Sequence, residues 1–342
     1  MEKYSKWRDP STGVAPFLYP LSPASTDLSL PPVLKVVTLP LSTILGVTRT
    51  LLVVLLLLAQ TILVEGILSI FLVYPPLYQI LSRACNFSIS RLILFVLGVV
   101  NISVETIRLT KTGRSPPKVP FEPKKGDLII ANSSGYVDLL YLSFRHNATF
   151  LEPLVDSNDK ISGWKRISLI RAVWSNGRIP ARSEFGQGGE TLEQAIENSR
   201  GPTVLFPELT TSNNRALLKF PNSSSPSSTL SKTFNGKIYI LTFKYTIPSR
   251  LTPSLTHPIP SHSPYLGLLP HLYSILSSPS VQSLSIRRLH PSESPKTIDW
   301  KQLEEIVSVT GRFKRLGGSG GGGGMGWKEK EGFLEFRRLK GR

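Results

Sequence analysis

The segment that most restricts this chain is Leu51 to Tyr74, LLVVLLLLAQTILVEGILSIFLVY, which holds a single ionisable group, Glu65. A helix needs about 20 apolar residues to cross a bilayer core, so this stretch is long enough to span. Roughly 50 residues precede it, which argues against a cleaved signal peptide, whose apolar stretch is short and close to the start. An acid near mid-bilayer costs about 2.5–3.5 kcal/mol unless it is shielded. Glu65 therefore reads either as a buried polar contact or as part of a re-entrant or interfacial hairpin that keeps it near water. The Pro75-Pro76 pair breaks the helix. A second apolar run, Leu92 to Val100, is too short to span and reads as an interfacial or packed helix.

Charge is distributed around that segment. The chain has 342 residues with 40 Lys+Arg against 23 Asp+Glu, a formal net charge of +17. Residues 126–210 are nearly balanced, with eight basic and ten acidic side chains, so the excess lies outside them. A hydrophobic share of 40% with 18% charged residues excludes a wholly disordered chain. The one cysteine, Cys85, excludes an internal disulfide and a cysteine-based zinc cage, and it suits a reducing compartment. Basic residues follow the apolar segment more densely than they precede it, from Arg83 to Lys125, which places the body of the chain in the cytosol. On that placement the Asn-x-Ser/Thr sites at Asn86, Asn101, Asn132, Asn147 and Asn222 are chance matches. The basic runs read as a membrane-facing surface, each Lys or Arg contributing about 1 kcal/mol near anionic lipid. A nucleic-acid partner is disfavoured, because no binding motif appears and the apolar segment accounts for the setting.

Residues 1–33 are rich in Ser and Pro, show no period, and read as a loose tail. From Gly126 the pattern becomes globular. Asp127 to Ala131 suits a buried strand, and Val137, Leu140, Tyr141 and Phe144 recur at helical spacing over Tyr136 to Phe144. The pattern then repeats: a helix over Glu190 to Asn198, a buried strand over Thr203 to Phe206, a polar loop over Pro207 to Asn214, and a short helix from Arg215. Such alternation predicts an α/β sheet, in which ligands gather beyond the carboxyl ends of the strands. Both polar loops, 132–135 and 207–214, lie at such ends. Pro221 to Ser231 reads as a low-complexity loop, and Lys237 to Thr246 as a strand. Pro248 to Pro295, with nine prolines, reads as a long, basic, weakly structured excursion. A helix is expected over Ile298 to Val309, a flexible linker over Gly317 to Gly326, and an amphipathic helix over Trp327 to Lys340. The glycine tract lacks a following Lys-Ser/Thr and so is no phosphate-binding loop.

Two loops stand out together: Asn132-Ser-Ser-Gly-Tyr-Val-Asp138, and Phe206-Pro-Glu-Leu-Thr-Thr-Ser212 with Glu208 70 residues after Asp138. On these the chain resembles the glycerolipid acyltransferases, the membrane enzymes that acylate glycerol phosphate and lysophospholipids. Within that family it looks most like the fungal lysophosphatidic acid acyltransferases that use oleoyl-CoA. The likeness covers roughly residues 83–250, with a weaker echo in the tail GWKEKEGFLEF. Asn132 and Asp138 match the first family motif, and Ser133 stands where that motif has histidine. Phe206, Pro207, Glu208, Thr210 and Ser212 match the third motif, with Leu209 in place of glycine and Thr211 in place of arginine. Gly177 to Arg182 resembles the second motif if a one-residue gap is allowed.

The resemblance implies a fold, a site and a reaction. The fold is a mixed α/β sheet flanked by helices, with one or more N-terminal membrane helices. Residues 34–104 would anchor it, 105–250 would form the catalytic domain, and 251–342 a basic extension. In the family the histidine takes the proton of the attacking alcohol and the aspartate orients it. Here Asn132, Ser133 and Asp138 would form the catalytic loop. Pro207, Glu208, Thr210, Thr211 and Arg182 would hold the glycerol-phosphate end. The partners would be membrane lipid, acyl-CoA as co-substrate and a lysophospholipid, with no metal and no further cofactor. The setting would be the endoplasmic reticulum membrane or the lipid droplet. His146 is the histidine nearest Asp138 and reads as an ordinary surface residue. Ser133 leaves open a catalytically impaired lipid-binding or acyl-CoA-binding protein on the same scaffold. A weaker alternative is an adaptor whose Pro/Ser-rich region binds partners.

Overall fold

A computed structural model describes residues 4–20, 32–110, 119–182, 189–221, 234, 236–249, 252–261, 266–316 and 324–340. Helix α1 (Pro32–Gln60) continues without a break through a π-helical turn, Thr61–Gly66, and a 3-10 segment, Ile67–Val73. Pro75 then opens helix α2 (Pro75–Val96), as the proline pair requires. Among the described residues ten strands follow: β1 (Val99–Ile107), β2 (Leu128–Ala131), β3 (Thr149–Val155), β4 (Ile161–Ile167), β5 (Ala181–Arg182), β6 (Thr203–Leu205), β7 (Ala216–Leu217), β8 (Ile238–Tyr245), β9 (Gln282–Leu289) and β10 (Lys314–Arg315). Among the described residues six helices are interleaved: α3 (Tyr136–His146), α4 (Leu169–Ser175), α5 (Leu192–Glu197), α6 (Leu269–Leu276), α7 (Trp300–Gly311) and α8 (Trp327–Lys340).

The main sheet is mixed and runs β1-β9-β8-β2-β6-β3-β4, with β5 also pairing β3. Strands β8, β2, β6 and β3 are mutually parallel, which is why β2 is apolar and buried at every position. Successive β2 residues serve opposite faces. Ile129 and Ala131 join a core with Leu94, Val137, Leu140 and Leu272, from α2, α3 and α6. Leu128 and Ile130 join another with Ile196, Leu303 and Val307, from α5 and α7. The sheet is thus sandwiched between helical layers, as the alternating pattern predicted.

Several expectations are corrected. The stretch after Pro248 is not a weakly structured excursion: β9 lies inside the sheet between β1 and β8, and α6 and α7 cover its two faces. Gln282, Leu284 and Ile286 point to one face at strand spacing and Leu289 to the other, so the boundary at residue 250 cuts a continuous sheet. The boundary at 104 cuts β1 in the same way. The helix expected over Leu92 to Val100 ends at Val96, and Gly98, at φ +83°, turns the chain into β1. The helix expected from Arg215 is instead strand β7, paired parallel with β10. Residues 4–20 are no loose tail: Trp7 and Phe17 are buried against Phe333 of α8, with ring centroids 5.5 and 5.7 Å away. These aromatics make the segment a packing element despite its Ser and Pro content. The loop expected over 221–231 lies outside the described residues after Pro221, as does the glycine tract over 317–323.

Among the described residues, one continuous helix, Pro40–Val73, is long and apolar enough to cross a membrane. Many of its apolar side chains, Leu51, Leu55, Ile62 and Ile70 among them, are exposed. Its inner face packs on the domain. Gly46 lies so close to Tyr273 of α6 that a Cβ there would sit 2.8 Å from the ring, and Arg49 donates to the Ser278 carbonyl at 3.3 Å. Glu65 lies in the π-helical turn and lines a cavity of about 400 Å³ with Ser168 and Arg200. It is exposed there rather than buried, so the expected buried polar contact is not what the fold shows.

Candidate active site

Strands β2, β6 and β8 end side by side, and their carboxyl ends carry the site. The loop after β2 meets the loop after β6 directly. Glu208 Oε2 accepts the Ser133 N–H at 2.7 Å and Oε1 accepts the Leu218 N–H at 2.8 Å. The Ser212 N–H donates back to the Ser133 carbonyl at 3.0 Å. The 252–261 segment closes over both loops: the His257 N–H donates to the Ser134 carbonyl at 2.8 Å. A Cβ on Gly135 would lie 2.7 Å from the Leu255 carbonyl oxygen, so only glycine allows this approach.

Asp138 sits in the first turn of α3. Its Oδ2 accepts the N–H groups of Ser134 and Gly135 at 2.8 and 3.0 Å, and its Oδ1 accepts the Tyr245 hydroxyl. Burial raises Asp138 to about 7, against the pull of these three hydrogen bonds. Glu208 rises to about 8, chiefly by burial, with the two accepted N–H bonds opposing. The two buried carboxylates thus titrate near neutral pH, where catalytic acids and bases operate.

Asn132 performs a structural task. Its amide clasps the Phe243 backbone of β8, accepting its N–H at 2.7 Å and donating to its carbonyl at 3.3 Å. Asn214 does the same from the other loop, donating to the Phe243 carbonyl at 2.8 Å and accepting the Tyr245 N–H at 3.0 Å. Both amides also donate to the Ser134 hydroxyl, at 3.1 and 2.6 Å. Leu209 holds φ +56°, a conformation natural to glycine, while its side chain stays buried in the core beneath α5 and α7.

Beside these loops lies a cavity of about 680 Å³, lined by Ser133, Thr210, Thr211 and Arg178 together with apolar Leu139, Ile170, Trp174 and Phe206. A lining that mixes polar and apolar side chains suits an amphiphile. Pro207, Glu208, Thr210 and Thr211 are buried as a unit, and the two threonines hold Lys330 of α8 rather than standing free. Arg182 is not brought to the cavity. It is exposed on β5 and pairs with Glu331 of α8 at 3.0 Å, because the register of β5 on β3 carries it past the cavity rim. Arg178, four residues earlier, lines the cavity instead. His146 also lies elsewhere. Helix α3 runs through it, so about 12 Å of helix rise separates it from Asp138. It is no ordinary surface residue: rings of Phe121 and Tyr141 flank it, and burial lowers its imidazole to about 3. Among the described residues, no imidazole lines the cavity. Sequence reasoning missed Tyr245, Asn214, Arg178 and Lys330; the aromatic ending β8 was the one local signal.

No family model matches the chain. The "Putative lysophosphatidic acid:oleoyl-CoA acyltransferase" of Schizosaccharomyces pombe is 31% identical over 346 residues, covering 99% of both chains. The crystal structure of the 1-acyl-sn-glycerophosphate (LPA) acyltransferase PlsC from Thermotoga maritima aligns with 78% of this chain and 95% of its own. Its identity of 15% and TM-score of 0.41 are too low to bear on the assignment. Identity at the fungal level, sustained over essentially the whole length, carries it alone: the chain belongs to the lysophosphatidic acid acyltransferase family.

Proposed function

We propose that this protein transfers an acyl group from acyl-CoA to the free hydroxyl of lysophosphatidic acid or a related lysophospholipid. The observation that carries the reading is the apposition of the Asp138 and Glu208 loops beside an amphiphile-shaped cavity. The substrate oxygen attacks the thioester carbonyl, the new C–O ester bond forms, the C–S bond breaks, and the CoA thiolate leaves and takes up a proton. The proton of the attacking hydroxyl goes to Asp138, which is buried behind the cavity-lining Ser133 and is reached once substrate binding shifts that loop. That carboxylate accepts three hydrogen bonds and so keeps one acceptor position. Its value of about 7 suits a base at neutral pH. Ser133, which lines the cavity, orients the hydroxyl. Arg178 meets the phosphate end, and the apolar wall takes the acyl chain.

The exposed apolar face of Pro40–Val73 and the basic residues after it support membrane attachment. We place the protein at the endoplasmic reticulum membrane or lipid droplet surface, with the catalytic domain facing the cytosol. The full-length kinship with an acyltransferase does not favour the binding-only alternative that Ser133 raised. The test supplies labelled oleoyl-CoA and a panel of lysolipids to purified protein in membranes. Label should enter the lysophosphatidic acid product; label in none of the panel would defeat the reading.

A further inference from the structure

Helix α8 is strongly polar, and most of its charges face outward. Lys328 pairs with Asp159 at 2.9 Å, and Glu331 with Arg182 at 3.0 Å. Lys330 points the other way and is 0% exposed. Its Nζ donates to the Thr210 hydroxyl at 2.8 Å, the Thr211 carbonyl at 2.8 Å and the Thr211 hydroxyl at 3.1 Å.

The partners around the amine favour its charged form. The Thr210 hydroxyl gives its own proton to the Arg178 carbonyl at 3.0 Å, and the Thr211 hydroxyl gives its proton to the His257 carbonyl at 2.6 Å. All three oxygens can therefore only accept from Lys330. An ammonium has three protons for them, whereas a neutral amine would turn its lone pair on an oxygen. Burial pushes the amine down to about 7, and the Glu208 carboxylate opposes that push. The other titratable groups facing this point are His257, held neutral by burial, and Asp138, which acts on Glu208 as a like charge.

We infer that Lys330 is a positioning residue of the active site, a buried cation supplied by the C-terminal helix that fixes the Glu208 loop through Thr210 and Thr211 and draws Glu208 toward its ionised form. From Thr211 the network continues through the His257 backbone to the Ser134 carbonyl, so one ammonium ties together all three loops around the site. The two Glu208 oxygens hold the N–H groups of Ser133 and Leu218, the contacts that an ionised carboxylate makes best. The inference deepens the acyltransferase reading and rests on it for its catalytic part.

The test uses the full-length protein in membranes or detergent, with Lys330→Met, Glu208→Gln and the double variant. In thermal melts K330M should lose on the order of 10 °C, because it leaves the buried Thr210 and Thr211 oxygens without their donor and removes the cation nearest Glu208. The double variant should lose several degrees less than the sum of the singles; losses that simply add would overturn the coupling. In turnover, K330M should lower kcat about 100-fold through misplacement of the loop. KM for acyl-CoA should change little, and the acid limb of the kcat–pH profile should move upward as Glu208 becomes harder to ionise. Wild-type kcat and an unmoved profile in a folded K330M would overturn the positioning role. Absence of turnover in the wild type would count against the proposed function, and the melts would still decide whether Lys330 and Glu208 are coupled.

Discussion

The Tyr245 hydroxyl donates to Asp138 Oδ1, so the last residue of β8 holds the carboxylate at the start of α3. That bond lowers the Asp138 proton affinity against the burial that raises it. Tyr245→Phe should therefore move the apparent pKa of Asp138 further above 7, and activity at pH 7 should fall and recover in part at higher pH. The kcat–pH profile of Y245F measures this. A profile unchanged from wild type would mean that Asp138 does not govern the rate.

Asp138 also ties stability to pH. Its folded value of about 7 lies above the ordinary aspartate value near 4. Between those values the native state holds a proton that the unfolded chain has released, so stability falls as pH rises from about 4 to about 7. Asp138→Asn removes that group and should flatten the decline. Urea midpoints at several pH values test it, and parallel curves for D138N and wild type across that window would contradict the assignment.

Arg178 lines the cavity, whereas Arg182 pairs outside it with Glu331. Arg178→Ala should raise KM for a phosphate-bearing lysolipid about tenfold or more, with a smaller effect on an uncharged acceptor. Arg182→Ala should leave both KM values near wild type, since an exposed pair of this kind contributes about 0–1 kcal/mol. The reverse ranking would restore Arg182 as the phosphate ligand.

Leu209 pays twice when it is shortened. Ala at this position loses the buried side chain and keeps the left-handed backbone at φ +56°; Gly loses the side chain and relieves the backbone. L209G should therefore be more stable than L209A by about 1 kcal/mol. Chemical denaturation of the two variants checks it, and equal or reversed stabilities would show that the backbone conformation costs nothing here.

The sequence revealed the parts whose signals are local. β2, α3 and β6 each carry their period within one short window, and the loops between them hold the matching motif residues. β9 was hidden although Gln282, Leu284 and Ile286 alternate inward, because the flanking prolines and serines dominate the composition. Trp7 and Phe17 were hidden for a similar reason: their partner, Phe333, lies more than 300 residues away. Lys330 was the least legible of all. A lysine in a polar helix reads as solvated, and only packing against Thr210 and Thr211 shows otherwise. Arg182 was chosen by motif spacing, and the strand register that carries it past the cavity is not written in that spacing.

The most direct test compares wild type with Asp138→Asn in transfer of labelled oleoyl from oleoyl-CoA to lysophosphatidic acid, both proteins shown to be folded. The wild type should form the diacyl product, and D138N should do so at least 100-fold more slowly. Equal rates would show that the proton of the attacking hydroxyl does not go to Asp138 and that the chemistry lies elsewhere in the fold.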